Sequence, residues 1–391
     1  MNDTPSAPSV PPSSAPRELP LRFVGSGSEY FRIWIVNLLL TLVTLGLYYP
    51  FAKVRRLRYF HGATEVGGSP LSFHADPWKM LRGYVLVAVL LGVYTGAGQF
   101  SATAGAIAFL IVAALWPALW HSSMRFRLAN TGWRGLRFRY TGPLGGAYAV
   151  MAVPLGVSML FVLTALLIQP DKPTDPPAPP SGTELFLAVS PGLLLLVLLP
   201  LFFWLLKLLQ HANYALGGER TDFTGRLGSF YGLAFKTLGV GLLAIAAVVA
   251  VVTAVSFMLG SFEDAHRAGI LIGVLTVFVS YLVVFPVAGG YWTARLQNLV
   301  WGHTASPRLR FDSSLRARAL AGLWFKNTLL VLLTLGLYMP FAQVASARLR
   351  LEAMTVISDV DPDELAASAA QADEAAAGDA AGDLLGFDIG L

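Results

Sequence analysis

Long apolar stretches alternate along this chain with short segments that are rich in arginine and lysine. Six of the stretches predict membrane-spanning helices, because uncharged helical segments of about 20 residues cross the hydrocarbon core of a bilayer. They pair into three helical hairpins, and the turn within each hairpin carries almost no positive charge. The six predicted spans are 86–99, 104–120, 144–168, 185–206, 231–259 and 269–291.

Two further apolar runs, one near each end of the chain, match each other. Residues 37–52 (NLLLTLVTLGLYYPFA) and residues 327–342 (NTLLVLLTLGLYMPFA) are identical at twelve of sixteen positions, with a constant offset of 290. Both runs contain a glycine followed four residues later by a proline. The match predicts an internal repeat, and the glycine and proline predict a helix break in each copy.

Polar side chains also recur at corresponding places in the two runs. Such residues usually hydrogen-bond neighbouring helices within the membrane. A substrate path is the alternative, because paired Gly/Pro-interrupted segments mark the binding site in transporters built from repeats. The candidate residues for a substrate path or helix breaks are Asn37, Thr44, Gly46, Tyr48, Pro50, Asn327, Thr334, Gly336, Tyr338 and Pro340.

Four of the connecting segments predict short β-hairpins. Each of the segments 64–73, 131–138, 215–223 and 304–311 follows the end of a predicted helix and finishes on a phenylalanine, and a further strand is expected around Phe23. An isolated two-stranded hairpin is marginally stable, so the hairpins are expected to associate at the membrane surface. Alternating aromatic and basic residues also occur in RNA-binding sheets, but the regular spacing from the spans favours a structural role.

The distribution of charge predicts the topology. The four connectors on the side opposite the hairpin turns hold 21 of the 28 basic residues, which places them in the cytoplasm. If the two matching runs span the membrane fully, both termini lie outside. If the runs turn back instead, both termini are cytoplasmic and only Lys172 and Arg267 lie outside, an arrangement that positive-inside topology slightly favours.

Composition agrees with a membrane protein, since 55% of the residues are hydrophobic and 13% are charged. The predicted fold is an all-α polytopic membrane protein with about eight transmembrane segments. Three helical hairpins are flanked by the two Gly/Pro-broken runs, with short cytoplasmic β-hairpins between them. A Pro/Ser-rich disordered tail is expected at 1–20, the transmembrane domain at 21–350, and an acidic disordered tail at 351–391.

Catalytic chemistry is not indicated by the sequence. The chain has no cysteine and no motif typical of zinc proteases, serine hydrolases or nucleotide-binding proteins, so it is not expected to be an enzyme or to hold a cofactor. His61, His121, His211 and His303 fall in or beside the connectors, where hydrogen bonding is a far commoner role than zinc binding.

Several of these features together resemble a known family. The segment EYFRIWIVNLLLTLVTLGLYYPFAKVRRLRYFHGAT, followed by GGSPLSF and by the late copy KNTLLVLLTLGLYMPFAQV, is similar to the YjgN-type family of bacterial inner-membrane proteins. The resemblance covers about residues 20–350 and implies a location in the inner membrane, with no activity or catalytic residues to carry over. The late copy departs from the first at 343–347, where QVASA replaces the basic run KVRRL.

Two classes of function remain open at this point. The first is transport or permeation of a small or amphipathic molecule. No Asp or Glu lies within a predicted span, so passive permeation, or binding of an anionic molecule near Lys236 and Lys326, fits better than proton-coupled pumping. The second is a scaffold that does not transport and that interacts with lipids or envelope proteins. Membrane lipids are the expected partners, and no nucleic acid is expected.

Overall fold

A computed structural model describes residues 16–168, 181–258 and 265–361, together with 363, 364 and 367. Helices and strands alternate along this part of the chain. The helices are α1 (Gly27–Val43), α2 (Tyr49–Gly62), α3 (Pro77–Phe100), α4 (Ala102–Ala129), α5 (Leu144–Leu167), α6 (Gly182–His211), α7 (Leu227–Met258), α8 (Ala265–Val284), α9 (Gly290–Trp301), α10 (Ala317–Leu333) and α11 (Met339–Leu351). A π-helical turn, Phe285–Gly289, joins α8 to α9.

The strands are short and belong to one antiparallel sheet. They are β1 (Arg17–Phe23), β2 (Thr64–Val66), β3 (Ser69–Phe73), β4 (Thr131–Trp133), β5 (Leu136–Tyr140), β6 (Tyr214–Leu216), β7 (Glu219–Arg220), β8 (Asp222–Phe223), β9 (Thr304–Ala305), β10 (Leu309–Ser313) and β11 (Met354–Ser358). Their order is β7-β6-β5-β4-β3-β2-β1-β11-β10-β9-β8. Since only Thr221 separates β7 from β8 in the chain, the two ends of the sheet meet and the sheet curls into an almost closed ring.

Two-residue turns build the connector hairpins. Gly67 and Gly68 have φ of +55° and +79°, and Arg134 and Gly135 have φ of +49° and +82°. Positive φ at both central residues is the geometry of a type I′ turn, whose twist matches that of the flanking strands. The connector hairpins are therefore present, and they associate, as expected, as parts of a single sheet.

The strands meet in a layer next to the helices. Each helical pair has one strand before it and one strand after it in the chain. In five places, the last residue of the strand before the pair is opposite the first residue of the strand after it. The pairs are Phe23 with Thr64, Phe73 with Thr131, Tyr140 with Tyr214, Phe223 with Thr304, and Ser313 with Met354. Two of the strands therefore run two residues past the phenylalanines at which they were expected to end, Phe138 and Phe311.

Five helical pairs leave this sheet and return to it. Six helices within the described residues are long and apolar enough to cross a membrane: Pro77–Phe100, Thr103–Ala129, Leu144–Ala165, Gly182–His211, Leu227–Met258 and Ile272–Trp301. The first and last pairs, α1–α2 and α10–α11, are shorter, since α2 and α11 have 14 and 13 residues, or about 20 Å of helix. They turn back before they can cross a core about 30 Å thick.

The prediction of an all-α fold with about eight transmembrane segments is therefore wrong. Six helices are candidate spans, and an 11-stranded sheet accompanies them. The two matching runs were counted as spans because each has about twenty apolar residues, but each is divided by a turn. Both terminal strands lie in the same sheet as the connector hairpins, so the ends of the folded part are on the connector side.

The folded part also extends beyond the expected limits of 21 and 350. Strand β1 begins at Arg17, and β11 lies within the segment that was expected to be an acidic tail. These two strands pair with each other, from Arg17 opposite Ser358 to Pro20 opposite Thr355. The remainder of the expected tails, 1–15 and most of 362–391, lies outside the described residues, as does the linker 169–180.

Candidate functional site

The ring of strands encloses an apolar cavity of about 630 Å³, which we call the sheet chamber. Side chains from all round the ring line it, among them Leu19, Leu71, Trp133, Phe138, Phe311 and Val356. Its wall on the helix side is formed by residues of α4, α9 and α11, including Trp301, Ala347 and Arg350. A cavity of several hundred cubic ångströms with few polar groups is typical of a ligand pocket.

Arg350 is the cation of the chamber that lacks an acidic partner. The carboxylate of Glu219 accepts a hydrogen bond from the Ser306 hydroxyl at 3.0 Å and pairs with Arg308 at 3.4 Å. By contrast, no carboxylate of the described residues pairs with Arg350. An arginine stays protonated in proteins, so the chamber contains a positive charge that an acidic ligand group can neutralise.

Hydrogen bonds hold the Arg350 side chain in place. Its Nε donates to Oε1 of Gln297 at 3.0 Å, and Nε2 of Gln297 donates to the main-chain oxygen of Arg350 at 2.8 Å. Arg350 is exposed, and it lines both the chamber and a second cavity described below, yet partial desolvation of its guanidinium lowers the pKa of Arg350 from its ordinary value. Among the described residues no hydrogen bond engages the terminal nitrogens of the guanidinium, which are therefore available to a ligand.

A second cavity of about 680 Å³ lies between α2, α8, α10 and α11, and we call it the membrane groove. Stacked aromatic rings form one wall: the Tyr281 and Phe285 ring centres are 5.9 Å apart, and those of Phe285 and Trp324 are 5.8 Å apart. The π-helical turn begins at Phe285, and such turns are frequent at functional sites. The opposite wall is polar, with Arg56, Asn327, Gln343, Ser346 and Arg350.

The two cavities meet at α11. Ala347 and Arg350 line both the sheet chamber and the membrane groove. A molecule that contacts Arg350 from the chamber therefore needs to pass only this one helical turn to contact the polar wall of the groove. The arrangement is a candidate route from the space inside the sheet into the helical region.

Asn37 and Asn327 occupy equivalent places in the two matching runs but differ in their partners. In both, Nδ2 donates to a main-chain oxygen across the helical pair, Ala52 at 3.4 Å and Ala342 at 3.3 Å. Oδ1 of Asn37 also accepts a hydrogen bond from Arg55 at 3.3 Å. Oδ1 of Asn327 is buried and has no hydrogen-bond partner among the described residues.

The sequence explains this difference. At the offset of 290 that relates the two runs, the position of Arg55 is occupied by Ala345. The second run thus retains the asparagine but lacks the arginine that satisfies its oxygen. Leaving a buried carbonyl unpaired destabilises the folded state by roughly 1–3 kcal/mol. A residue that carries such a group and lines a cavity is therefore a candidate ligand contact. Asn327 is 5% exposed and lines the membrane groove.

The other predicted site residues build the turns of the two short helical pairs and do not line either cavity. The Thr44 hydroxyl donates to the Leu40 oxygen at 2.7 Å and accepts from the Tyr48 amide at 3.0 Å. Thr334 makes the same two bonds, to Leu330 and Tyr338, at the same distances. The Tyr48 and Tyr338 rings stack on nearby phenylalanines, and Pro50 and Pro340 are buried at the starts of α2 and α11.

The turns themselves point away from the rest of the protein. Leu45 and Leu335 are 94% and 93% exposed, and each has positive φ. Gly46 and Gly336 follow them with φ of +92° and +94°, a conformation that residues with a Cβ rarely adopt. The breaks therefore lie at exposed tips of the two short helical pairs.

We expect Gly336→Ala to destabilise the protein by about 1–2 kcal/mol, because the added Cβ is strained at this φ. Gly322→Ala is the control, since Gly322 lies within α10 and a Cβ there meets no atom within 4 Å. That change should leave stability unchanged or raise it slightly. Thermal unfolding in detergent measures both, and equal stabilities would contradict the strained turn.

The four connector histidines are each engaged in a hydrogen bond of their own. His61, His121 and His303 contact main-chain oxygens, each at 2.7 Å. Nδ1 of His211 lies 3.0 Å from the Thr304 hydroxyl. Within the residues that the structure describes, no three His, Asp or Glu side chains are grouped so as to hold a metal ion.

Sequence reasoning missed Arg350 and the aromatic wall of the groove. Arg350 is one of two basic residues near the end of α11, and nothing in its spacing distinguishes it from Arg348. Tyr281, Phe285 and Trp324 sit within apolar stretches in which aromatic residues are common. A signal for Asn327 was present, because the late copy keeps the asparagine while losing the basic run.

Comparison with known proteins identifies the family. The family described as "Bacterial protein of unknown function (DUF898)" matches residues 18–384. "Inner membrane protein YjgN" of Salmonella typhimurium strain LT2 is 24% identical over 370 residues, which cover 88% of this chain and 90% of that protein. The proteins of the same name from Escherichia coli K12 and O157:H7 are 28% and 27% identical, over 37% of this chain and 38% of each relative. No solved structure matches the chain.

Proposed function

Because the chain belongs to this family of bacterial proteins of unknown function and is a multi-pass inner-membrane protein, we propose its activity from the site itself. It transports or lets through a small or amphipathic molecule, along the route that the sheet chamber and the membrane groove form. The observation that carries this proposal is the sharing of Ala347 and Arg350 by the two cavities. By the positive-inside rule, the sheet and its chamber lie on the cytoplasmic side.

The chemistry of the two walls supports an amphipathic substrate. The stacked aromatic rings offer a flat apolar surface. The opposite wall contains Asn327, whose buried oxygen is unpaired, and Arg350, which has no carboxylate partner among the described residues. Convergent polar groups in a mostly apolar pocket orient a ligand and select it. An acidic group on the substrate would neutralise Arg350, and its apolar part would lie against Phe285 and Trp324.

The two matching runs support a repeat as the origin of the short helical pairs. We propose that they are copies of one unit, because their turns share the same hydrogen bonds and the same positive-φ pair. The copies have then diverged in the residues that face Asn37 and Asn327. The second copy supplies most of what the two short pairs contribute to the groove, and the first copy adds Arg56 and Phe60.

A scaffold that does not transport remains the second candidate. The observation in its favour is the exposure of both turn tips, which suits contact with lipid or with a membrane partner. It differs from transport in one measurable respect. A scaffold needs no water in the groove, whereas a route for a small or amphipathic molecule does.

Thiol accessibility separates the two candidates, because the natural chain has no cysteine. We expect Ser346→Cys, in the polar wall of the groove, to react with a small polar thiol reagent in intact membranes. Leu243→Cys is the control, since Leu243 is 73% exposed on α7 within an uncharged membrane-spanning stretch. It should react at least tenfold more slowly. Equal protection of the two cysteines would reject the route and favour the scaffold.

A further inference from the structure

A separate surface groove lies between α7 and α9, away from the chamber and the membrane groove. It has a volume of about 560 Å³, and α7 and α9 supply all of its lining: Gly228, Ser229, Gly232, Leu233, Lys236, Tyr291, Arg295 and Leu299. A Cβ at Gly228 or Gly232 would meet no atom within 4 Å. These two glycines leave this face of α7 open.

The two cations of the groove stand at the edge of the hydrocarbon core. After Lys236, α7 continues for 22 uncharged residues to Met258, or about 33 Å of helix. Before Arg295, the span that starts at Ile272 has 23 uncharged residues, or about 34 Å. Both lengths match a hydrocarbon core of about 30 Å, so Lys236 and Arg295 lie at the level of the lipid headgroups on the sheet side.

Neither cation is neutralised within the part of the chain that the structure describes. Among the described residues, no carboxylate pairs with Lys236 or Arg295. The Arg295 guanidinium lies over the Tyr291 ring, 5.7 Å from its centre, a contact that orients the arginine without cancelling its charge. Two cations on adjacent helices therefore face one open groove.

A close structural counterpart lacks half of this arrangement. Lys326 is the tenth residue of α10, and Lys236 is the tenth residue of α7. Lys326 lies thirteen positions after the end of β10, and Lys236 lies thirteen positions after the end of β8. Arg295 lies nine positions before the start of β9. The equivalent position, nine residues before the start of β11, is occupied by Ala345. Lys326 therefore has the depth of Lys236 without a facing arginine, and it does not line the groove.

From this geometry we infer that the α7–α9 groove binds the headgroup of an anionic phospholipid. Basic pockets between transmembrane helices on the cytoplasmic side are suited to acidic lipid headgroups. The phosphate lies between Lys236 and Arg295, the Ser229 hydroxyl donates to a headgroup oxygen, and the glycines admit the glycerol. The acyl chains then run along the uncharged part of α7. This inference does not depend on transport.

Native mass spectrometry of the full chain in detergent tests this site, with phosphatidylglycerol as the probe and phosphatidylcholine as the neutral comparison. We expect one phosphatidylglycerol to bind more tightly than the rest. The double variant Lys236→Gln/Arg295→Gln should weaken the affinity for that first lipid about 30-fold. Each lost charge is expected to lower the affinity roughly tenfold or less. The matched control Lys326→Gln/Arg318→Gln removes the same charge from α10 and should change it less than threefold.

Gly232→Leu tests the shape of the groove with all charges kept. A Cβ at position 232 meets no atom within 4 Å, so the leucine side chain can extend into the groove. The variant should weaken phosphatidylglycerol binding while leaving the thermal unfolding midpoint unchanged. Inorganic phosphate at millimolar concentration should not compete with the lipid, and competition would assign the site to free phosphate instead. Equal loss of binding in the two double variants, or equal binding of the two lipids by the natural chain, would overturn the proposal.

Discussion

Ending the chain after Ala353 is expected to prevent stable folding, although the removed segment resembles a disordered tail. The truncation deletes β11, which pairs with β1 at four positions and with β10 at five. It also removes Met354 and Val356 from the wall of the sheet chamber. If each lost ladder hydrogen bond contributes about 1 kcal/mol, the loss is roughly 5 kcal/mol or more, which few proteins tolerate.

The matched control ends the chain after Asp361, so that β11 is kept and the acidic remainder is removed. This chain should keep its stability to within about 1 kcal/mol, because an exposed ion pair such as that of Arg134 with Asp363 contributes little. Extraction into detergent followed by size-exclusion chromatography measures both truncations. A monodisperse peak from the chain that ends at Ala353 would show that the ring of strands does not need closure.

This pair of truncations also illustrates what the sequence can and cannot predict about the fold. The six spans follow from uncharged length, and the hairpins follow from turn dipeptides such as Gly67-Gly68, because both signals are local. Strand β11 has no such signal. It is five residues long, it lies beside an acidic segment, and its partner Arg17 lies 341 positions away from Ser358. Closure of the ring therefore depends on pairing that no local pattern encodes.

The two matching runs have a clear local signal, but that signal is ambiguous. Their length was consistent with two spans, while the charge distribution slightly favoured runs that turn back. Leu45 and Gly46 place two consecutive residues at positive φ and reverse the chain. Hydrophobicity alone does not distinguish a crossing helix from a pair of shorter helices that enter and return. The glycine and proline were visible signals of a break. The depth of the returning arm was settled by the sheet, to which both arms are attached.

The candidate site could be anticipated only where the two runs differ. Identical residues, such as Thr44 and Thr334, turned out to hold the turns in the same way. Asn327 became distinct because Ala345 replaces the arginine that partners Asn37. A residue-by-residue comparison of the two copies shows a polar group that is retained while its partner is lost. That comparison would have selected Asn327 from the ten candidates.

Giving Asn327 the missing partner should therefore raise stability. We expect Ala345→Arg to place a guanidinium near Oδ1 of Asn327, as Arg55 does for Asn37 at 3.3 Å. Satisfying a buried acceptor contributes about 1–3 kcal/mol, which corresponds to a rise of several degrees in the unfolding midpoint. Ala345→Met is the control, because it adds a side chain of similar reach without a donor. Arg55→Ala should have the opposite effect by leaving Asn37 unpaired.

The same variant discriminates between transport and a scaffold, because the two candidates differ on whether the unpaired oxygen of Asn327 is used. If the groove conducts an amphipathic anion, Ala345→Arg should slow the release of carboxyfluorescein from proteoliposomes about tenfold while the protein becomes more stable, and Ala345→Met should slow it much less. Natural proteins retain such costs where activity needs an unsatisfied or strained group. A stabilised variant with unchanged release would mean that the unpaired oxygen has no role in permeation, and the scaffold would then explain the groove better.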